Sequence, residues 1–192
     1  LQTVATLDSR PVSELVGEMI TDSDNTTAEL LTREMGHVVK GEGTTQAGIA
    51  VITETLARLG YDTTGLSLND GSGLDPANRV PCPLVLDLLR RSAPDSVIRS
   101  AMAVAGKTGT LRKRMTNSAA TGRVQAKTGT LNEVNALAGY AETPTGNDIT
   151  FLMIQNGLQP GGTAWIDRYA ALLMDYAQGP PLDALGPLPP VS

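Results

Sequence analysis

The pentapeptide Lys-Thr-Gly-Thr-Leu occurs twice, at 107–111 within "AVAGKTGTLRKRM" and at 127–131 within "VQAKTGTLNEV". A lysine followed by a hydroxyl and a glycine is able to hold an anion, so the first chemistry to test is phosphate binding. A phosphate loop requires Gly, four residues, then Gly-Lys-Ser/Thr. Gly106-Lys107-Thr108 would need glycine at 101, where the chain has Ala101, and Lys127 follows Ala126 instead of glycine. Neither copy is a phosphate loop. Nor is the pair a structural repeat, because the flanks "LRKRMTNSAATG" and "LNEVNALAGYAE" share nothing beyond the pentapeptide.

Other chemistries are poorly supplied. The chain has one His and one Cys, whereas zinc takes several such ligands, so no metal site is expected. A Ser-His-Asp triad would have to use His37. Gly36 and Gly41 suggest the end of a helix around it, which makes His37 a cap or surface residue. Cys82 has no His nearby in sequence and reads as a buried or incidental thiol; alone, it forms no intrachain disulfide. The net charge is −5. The one basic cluster, Arg112-Lys113-Arg114, reads as a solvated loop, so no nucleic-acid partner is expected. No stretch approaches the ~20 apolar residues of a membrane span, and "LQTVATLDSRPV" has neither an initiator Met nor a basic leader.

The elements that must carry these residues follow from periodicity. With 192 residues and 41% hydrophobic content, the chain suffices for one domain. Aromatics are few, so its core must be aliphatic. Val12, Leu15, Val16, Met19 and Ile20 have helical spacing behind Pro11. "TTAELLTREMG" predicts a second helix ending at Gly36, and "TTQAGIAVITETLARLG" a third ending at Gly60. "LSLNDGSGLDPANRVPCP" is turn-rich, and "PLVLDLLRRSA" predicts a fourth helix. Residues 96–103 fit no period. After residue 120, "GRVQAKTGTL", "EVNALAGYAE" and "ITFLMIQN" predict three adjacent antiparallel strands. "TAWIDRYAALLMDYAQG" then predicts a closing helix, with Trp165, Tyr169, Leu172, Leu173 and Tyr176 on related faces. Helices followed by a strand meander and a last helix predict an α+β domain with an antiparallel sheet. It is expected over 1–178, and "GPPLDALGPLPPVS" (179–192) reads as a Pro-rich tail.

Lys-Thr-Gly is also one of three short motifs of active-site serine enzymes that recognise penicillin, beside Ser-x-x-Lys and Ser-x-Asn. Ser23-Asp24-Asn25 supplies the Ser-x-Asn about a hundred residues earlier. "ITDSDNTTAELL", "NDGSGLDPANRV" and "VAGKTGTLRKRM…GRVQAKTGTLNEVNALAGY" together resemble the D-Ala-D-Ala carboxypeptidase/endopeptidase family of low-molecular-weight penicillin-binding proteins (the DacB-like, peptidase S13 type). The similarity runs from about residue 10 to residue 178. It implies the serine β-lactamase/DD-peptidase fold, helices flanking the sheet, and no cofactor.

The resemblance also implies roles. Lys127-Thr128-Gly129 is expected to be the working strand motif, because it opens the meander, whereas the first copy leads into a polar stretch and reads as a turn with a matching sequence. Ser23 would relay a proton to the leaving amine, Asn25 would hold the substrate amide, and Lys127 would fix Ser23 and supply positive potential. The Thr128 and Thr130 hydroxyls would bind the substrate carboxylate. Gly129 would leave room for a peptide alongside the strand, and the Thr130 N–H would face the oxyanion. Ser23–Asn25 also reads as a helix N-cap. Asp24 reads as a turn residue, and Asp70-Gly71-Ser72-Gly73 as either a tight turn or a substrate contact.

No serine in the chain has a lysine three residues on, so the nucleophile motif is absent. The chain is therefore expected to be the C-terminal part of a longer enzyme, inactive alone and partnered by the N-terminal part that carries the nucleophile. Peptidoglycan peptides ending in D-Ala-D-Ala and β-lactam antibiotics are the implied ligands, and export to the periplasm or cell wall, either free or membrane-associated through the N-terminal part, the implied location. Two alternatives share the fold: a catalytically dead penicillin-binding-like cell-wall module, and a serine β-lactamase.

Overall fold

The computed structural model describes residues 4–157 and 162–175. Tyr176 and the Pro-rich tail expected over 179–192 lie outside them. Helix α1 is Val12–Asp22, α2 Asn25–Lys40, α3 Thr45–Arg58, α4 Cys82–Arg91 and α5 Val97–Ser100. Strand β1 is Ala103–Val104, β2 Val124–Leu131, β3 Val134–Glu142 and β4 Asp148–Asn156, followed by α6, Ala164–Leu172. The strands form one antiparallel sheet in the order β1-β2-β3-β4.

Alternation along the strands gives the sheet two covered faces. Val124, Ala126, Leu137, Ala141 and Phe151 point to one face and form the larger core with Ile166, Ala170 and Met174 of the closing helical segment. On the other face Tyr140 packs with Leu89 and Met102, against Ile20 of α1 and Val85 of α4. The Tyr140 hydroxyl donates to the Leu89 carbonyl at 2.7 Å. The Arg99 guanidinium lies 4.1 Å over the Tyr140 ring and forks onto Asp148. The expected arrangement, an antiparallel sheet between helices, is the observed one.

Two expectations change in detail. The second helix does not stop at Gly36; it runs to Lys40, and Gly41, with φ +74°, ends it. Gly36 serves a crossing instead: a Cβ there would lie 2.7 Å from the Gly48 nitrogen, so the glycine lets α2 and α3 approach closely. Residues 97–104 form α5 and β1, both too short to show a period. The segment before the first Lys-Thr-Gly copy thus pairs with the strand bearing the second, Ala103 opposite Ala126 and Val104 opposite Gln125. As expected, His37 is exposed in the last turn of α2.

Candidate active site

Two chain reversals build the site. Met19's carbonyl accepts from the Asp24 N–H at 3.1 Å, and Ser23 caps α1 in the left-handed region, φ 58° and ψ 47°. A non-glycine residue rarely sits there. The capping oxygen for the next helix belongs to Asp24, not Ser23. Its carboxylate accepts from the N–H groups of Thr26 and Thr27 at 2.9 and 3.3 Å and from the Thr27 hydroxyl at 2.7 Å. The Thr27 side chain, then these backbone groups, hold the Asp24 pKa below its ordinary value. Asp24 is thus the turn residue expected, and it leaves the Ser23 and Asn25 side chains free of N-cap duty. Asn25 is exposed on the first turn of α2.

Lys127 comes to the same place from β2. It is paired across the sheet with Ala138, on the face that carries Tyr140 and meets α1. Its ammonium donates to the Ser23 hydroxyl, 104 residues away in sequence, and to the Thr128 carbonyl at 2.8 Å. Burial lowers its pKa, since a charged amine loses hydration there. Because Ser23 Oγ accepts from Lys127, the serine's own proton remains available to another acceptor.

Strand β1 covers β2 only at Gln125 and Ala126. Among the described residues, Lys127–Leu131 has no strand on that side. A Cβ at Gly129 would meet only the Ala136 methyl, at an ordinary 3.4 Å. The fold itself therefore does not demand glycine at 129. Thr130 is exposed, and Thr128 Oγ1 donates to Thr110 Oγ1 at 2.9 Å.

The Asp70-Gly71-Ser72-Gly73 segment is a tight turn docked on α2. The Asp70 carboxylate accepts from Ser72, Asn78 and the N–H groups of Gly73 and Asp75, at 2.8–2.9 Å. Burial pushes the Asp70 pKa up, and these hydrogen bonds together outweigh it, leaving a net lowering. Glu29 Oε2 accepts the Gly71 N–H at 2.7 Å, and Thr45 donates to the same carboxylate.

The first copy is the turn expected, a 3₁₀ helix over Gly109–Leu111, but it is not remote from the second. Sequence reasoning missed Thr110.

The D-Ala-D-Ala carboxypeptidase 3 (S13) family profile matches residues 1–172. The chain belongs to that family. Among S13 relatives, it is 42% identical over 178 residues to a D-alanyl-D-alanine carboxypeptidase of Actinomadura sp. (strain R39), covering 88% of this chain and 33% of the relative. It is 33% identical over 187 residues to carboxypeptidase DacB of Mycolicibacterium smegmatis, covering 92% of this chain and 40% of the relative. Penicillin-binding protein 4 (dacB) of Haemophilus influenzae, solved in complex with a β-lactam, superposes with a TM-score of 0.79 at 27% identity, covering 87% of this chain and 41% of that one. The chain spans a third to two-fifths of the length of these S13 relatives.

Proposed function

We propose that this chain carries the Ser-x-Asn and Lys-Thr-Gly motifs of a serine D-Ala-D-Ala carboxypeptidase. The observation that carries this reading is the contact of Lys127 with Ser23. It joins the two motifs at the point where a proton has to move during acyl transfer. A serine nucleophile with its Ser-x-x-Lys lysine, contributed by the rest of the polypeptide, attacks the penultimate D-Ala carbonyl. The Thr130 N–H takes half of the oxyanion. The Ser-x-x-Lys lysine takes the nucleophile's proton as its oxygen bonds to the carbonyl carbon; Ser23 gives its own proton to the leaving D-Ala amine and takes that proton in return, while Lys127 holds the Ser23 oxygen and supplies positive potential. Asn25 orients the substrate amide, and the Thr128 and Thr130 hydroxyls hold the terminal carboxylate beside Gly129. β-Lactams enter the same site and form a long-lived acyl-enzyme. The substrate lies in the cell wall, so the enzyme is exported to the periplasm or wall.

Fluorescent penicillin tests the proposal. The full-length protein should be labelled covalently, and residues 1–192 alone should not, because the nucleophile is a coupled part of the catalytic unit. Labelling of the isolated chain would refute the assignment of the nucleophile to the rest of the protein. Absence of labelling at full length would refute the enzyme itself.

A further inference from the structure

The turn formed by the first Lys-Thr-Gly-Thr-Leu copy is clamped between the two elements that carry Ser23 and Lys127. Leu111 is fully buried in the sheet core. Gly109 has φ +50°, and a Cβ there would sit 2.6 Å from the Thr21 carbonyl, so the turn rests on the last turn of α1. On its other side Thr108 Oγ1 accepts the Val104 N–H at 2.9 Å, and the Lys107 N–H donates to the Val104 carbonyl at 2.9 Å. These contacts pin the turn to β1. Thr110 is held at the start of the open β2 edge, with its hydroxyl 2.9 Å from that of Thr128.

A hydroxyl has one proton to give and two lone pairs to offer. Here Thr128 gives its proton to Thr110. A carboxylate only accepts, so in this arrangement Thr128 has nothing for it. Two hydroxyls in contact can exchange roles by rotating their O–H bonds. With Thr110 donating, the Thr128 proton is released towards the strand edge and is made more acidic by the bond it accepts. We propose that Thr110 is a positioning residue: it holds the Thr128 hydroxyl in place and, by reversing their hydrogen bond, aims the Thr128 proton at the terminal carboxylate of a peptide lying along β2. This inference rests on the carboxypeptidase reading above. It gives the first pentapeptide copy a function through its fourth residue, and none through Lys107.

The test uses the full-length enzyme as wild type, Thr110→Val and Thr110→Ser, with a peptide ending in D-Ala-D-Ala, fluorescent penicillin and a thermal melt of each variant. Labelling of the wild type checks the carboxypeptidase reading separately, and its absence overturns both. Thr110→Val keeps the shape and removes the hydroxyl. It should raise KM for the peptide about tenfold, the scale of one hydrogen bond to a charged group, with kcat within about twofold. Thr110→Ser should restore KM. A labelled wild type whose Val variant matches it, whose losses fall equally on kcat and KM with a lowered melt, or whose Ser variant fails to rescue overturns the Thr110 assignment alone.

Discussion

The Lys127 ammonium donates to the Ser23 hydroxyl and, among the described residues, to one other acceptor, the Thr128 carbonyl. Both acceptors are neutral. Among the described residues no carboxylate contributes to its titration; burial alone lowers the pKa. A partly buried lysine without a counter-charge weakens a fold, and such residues gather where the charge is used.

The two lysines of the duplicated phrase should separate cleanly. In the full-length enzyme Lys127→Ala should slow acylation by fluorescent penicillin at least about a hundredfold, as loss of a preorganised electrostatic group does. Lys107 is exposed and lies over Gly122, so Lys107→Ala should change the rate by less than about threefold. Equal losses would reject the choice of the second copy.

The lowered Lys127 pKa carries a sign for stability. Between the lowered value and the ordinary lysine value of about 10.4, the unfolded chain binds a proton that the folded one does not, so stability rises with pH. Lys127→Met has no such proton. Its stability advantage over the wild type should be greatest at neutral pH and should shrink as pH approaches about 10. Urea midpoints of both proteins at the two pH values measure it. A difference independent of pH would count against a desolvated ammonium.

Asp24 has the opposite sign. Its folded pKa is depressed, chiefly by the Thr27 hydroxyl. The stability it adds is complete above the unfolded value and is lost as pH falls through the folded one. Asp24→Ala should therefore lower the melting temperature at neutral pH, and the gap to wild type should narrow in acid. Because the cap holds the Ser23–Asn25 reversal, the same variant should lose acylation rate as well. A gap unchanged in acid would show that the cap is not electrostatic.

Arg114 ties the loop after the first copy to α6 by forking onto Asp167, with bonds of 2.6 and 3.0 Å from its Nη2 and Nε. The side chains are 17% and 20% exposed, so screening is partial. Asp167→Ala should cost about 2 kcal/mol by leaving the guanidinium without a partner. Replacing both residues, Arg114→Met with Asp167→Leu, should recover most of the loss. A double-mutant cycle by denaturant titration gives the coupling, and a value near zero would make the pair incidental.

Long periodic elements were legible in the sequence, and short or tertiary ones were not. Val12 to Ile20 and the three strands after residue 120 announce themselves by spacing. Gly36 misled because a glycine at a helix crossing and one at a helix end look alike, and only Gly48, from the other helix, distinguishes them. Strand β1 has two residues and no alternation to read. Ser23, Asn25 and Lys127 were found as motif letters. That Asp24 is the cap while Ser23 takes the left-handed conformation depends on backbone angles that the letters do not encode. Thr110 was hidden for a related reason: its meaning is a distance to Thr128.

Strand β1 also acts as a ruler. It ends the free edge of β2 at Ala126, leaving five residues, Lys127 to Leu131. At about 3.4 Å per residue that is a berth of roughly 17 Å. An extended segment longer than the berth collides with Ala103 at one end and overruns Leu131 at the other. Open sheet edges invite indefinite pairing between molecules. Here two residues of backbone leave, among the described residues, a free edge of only five residues for such pairing.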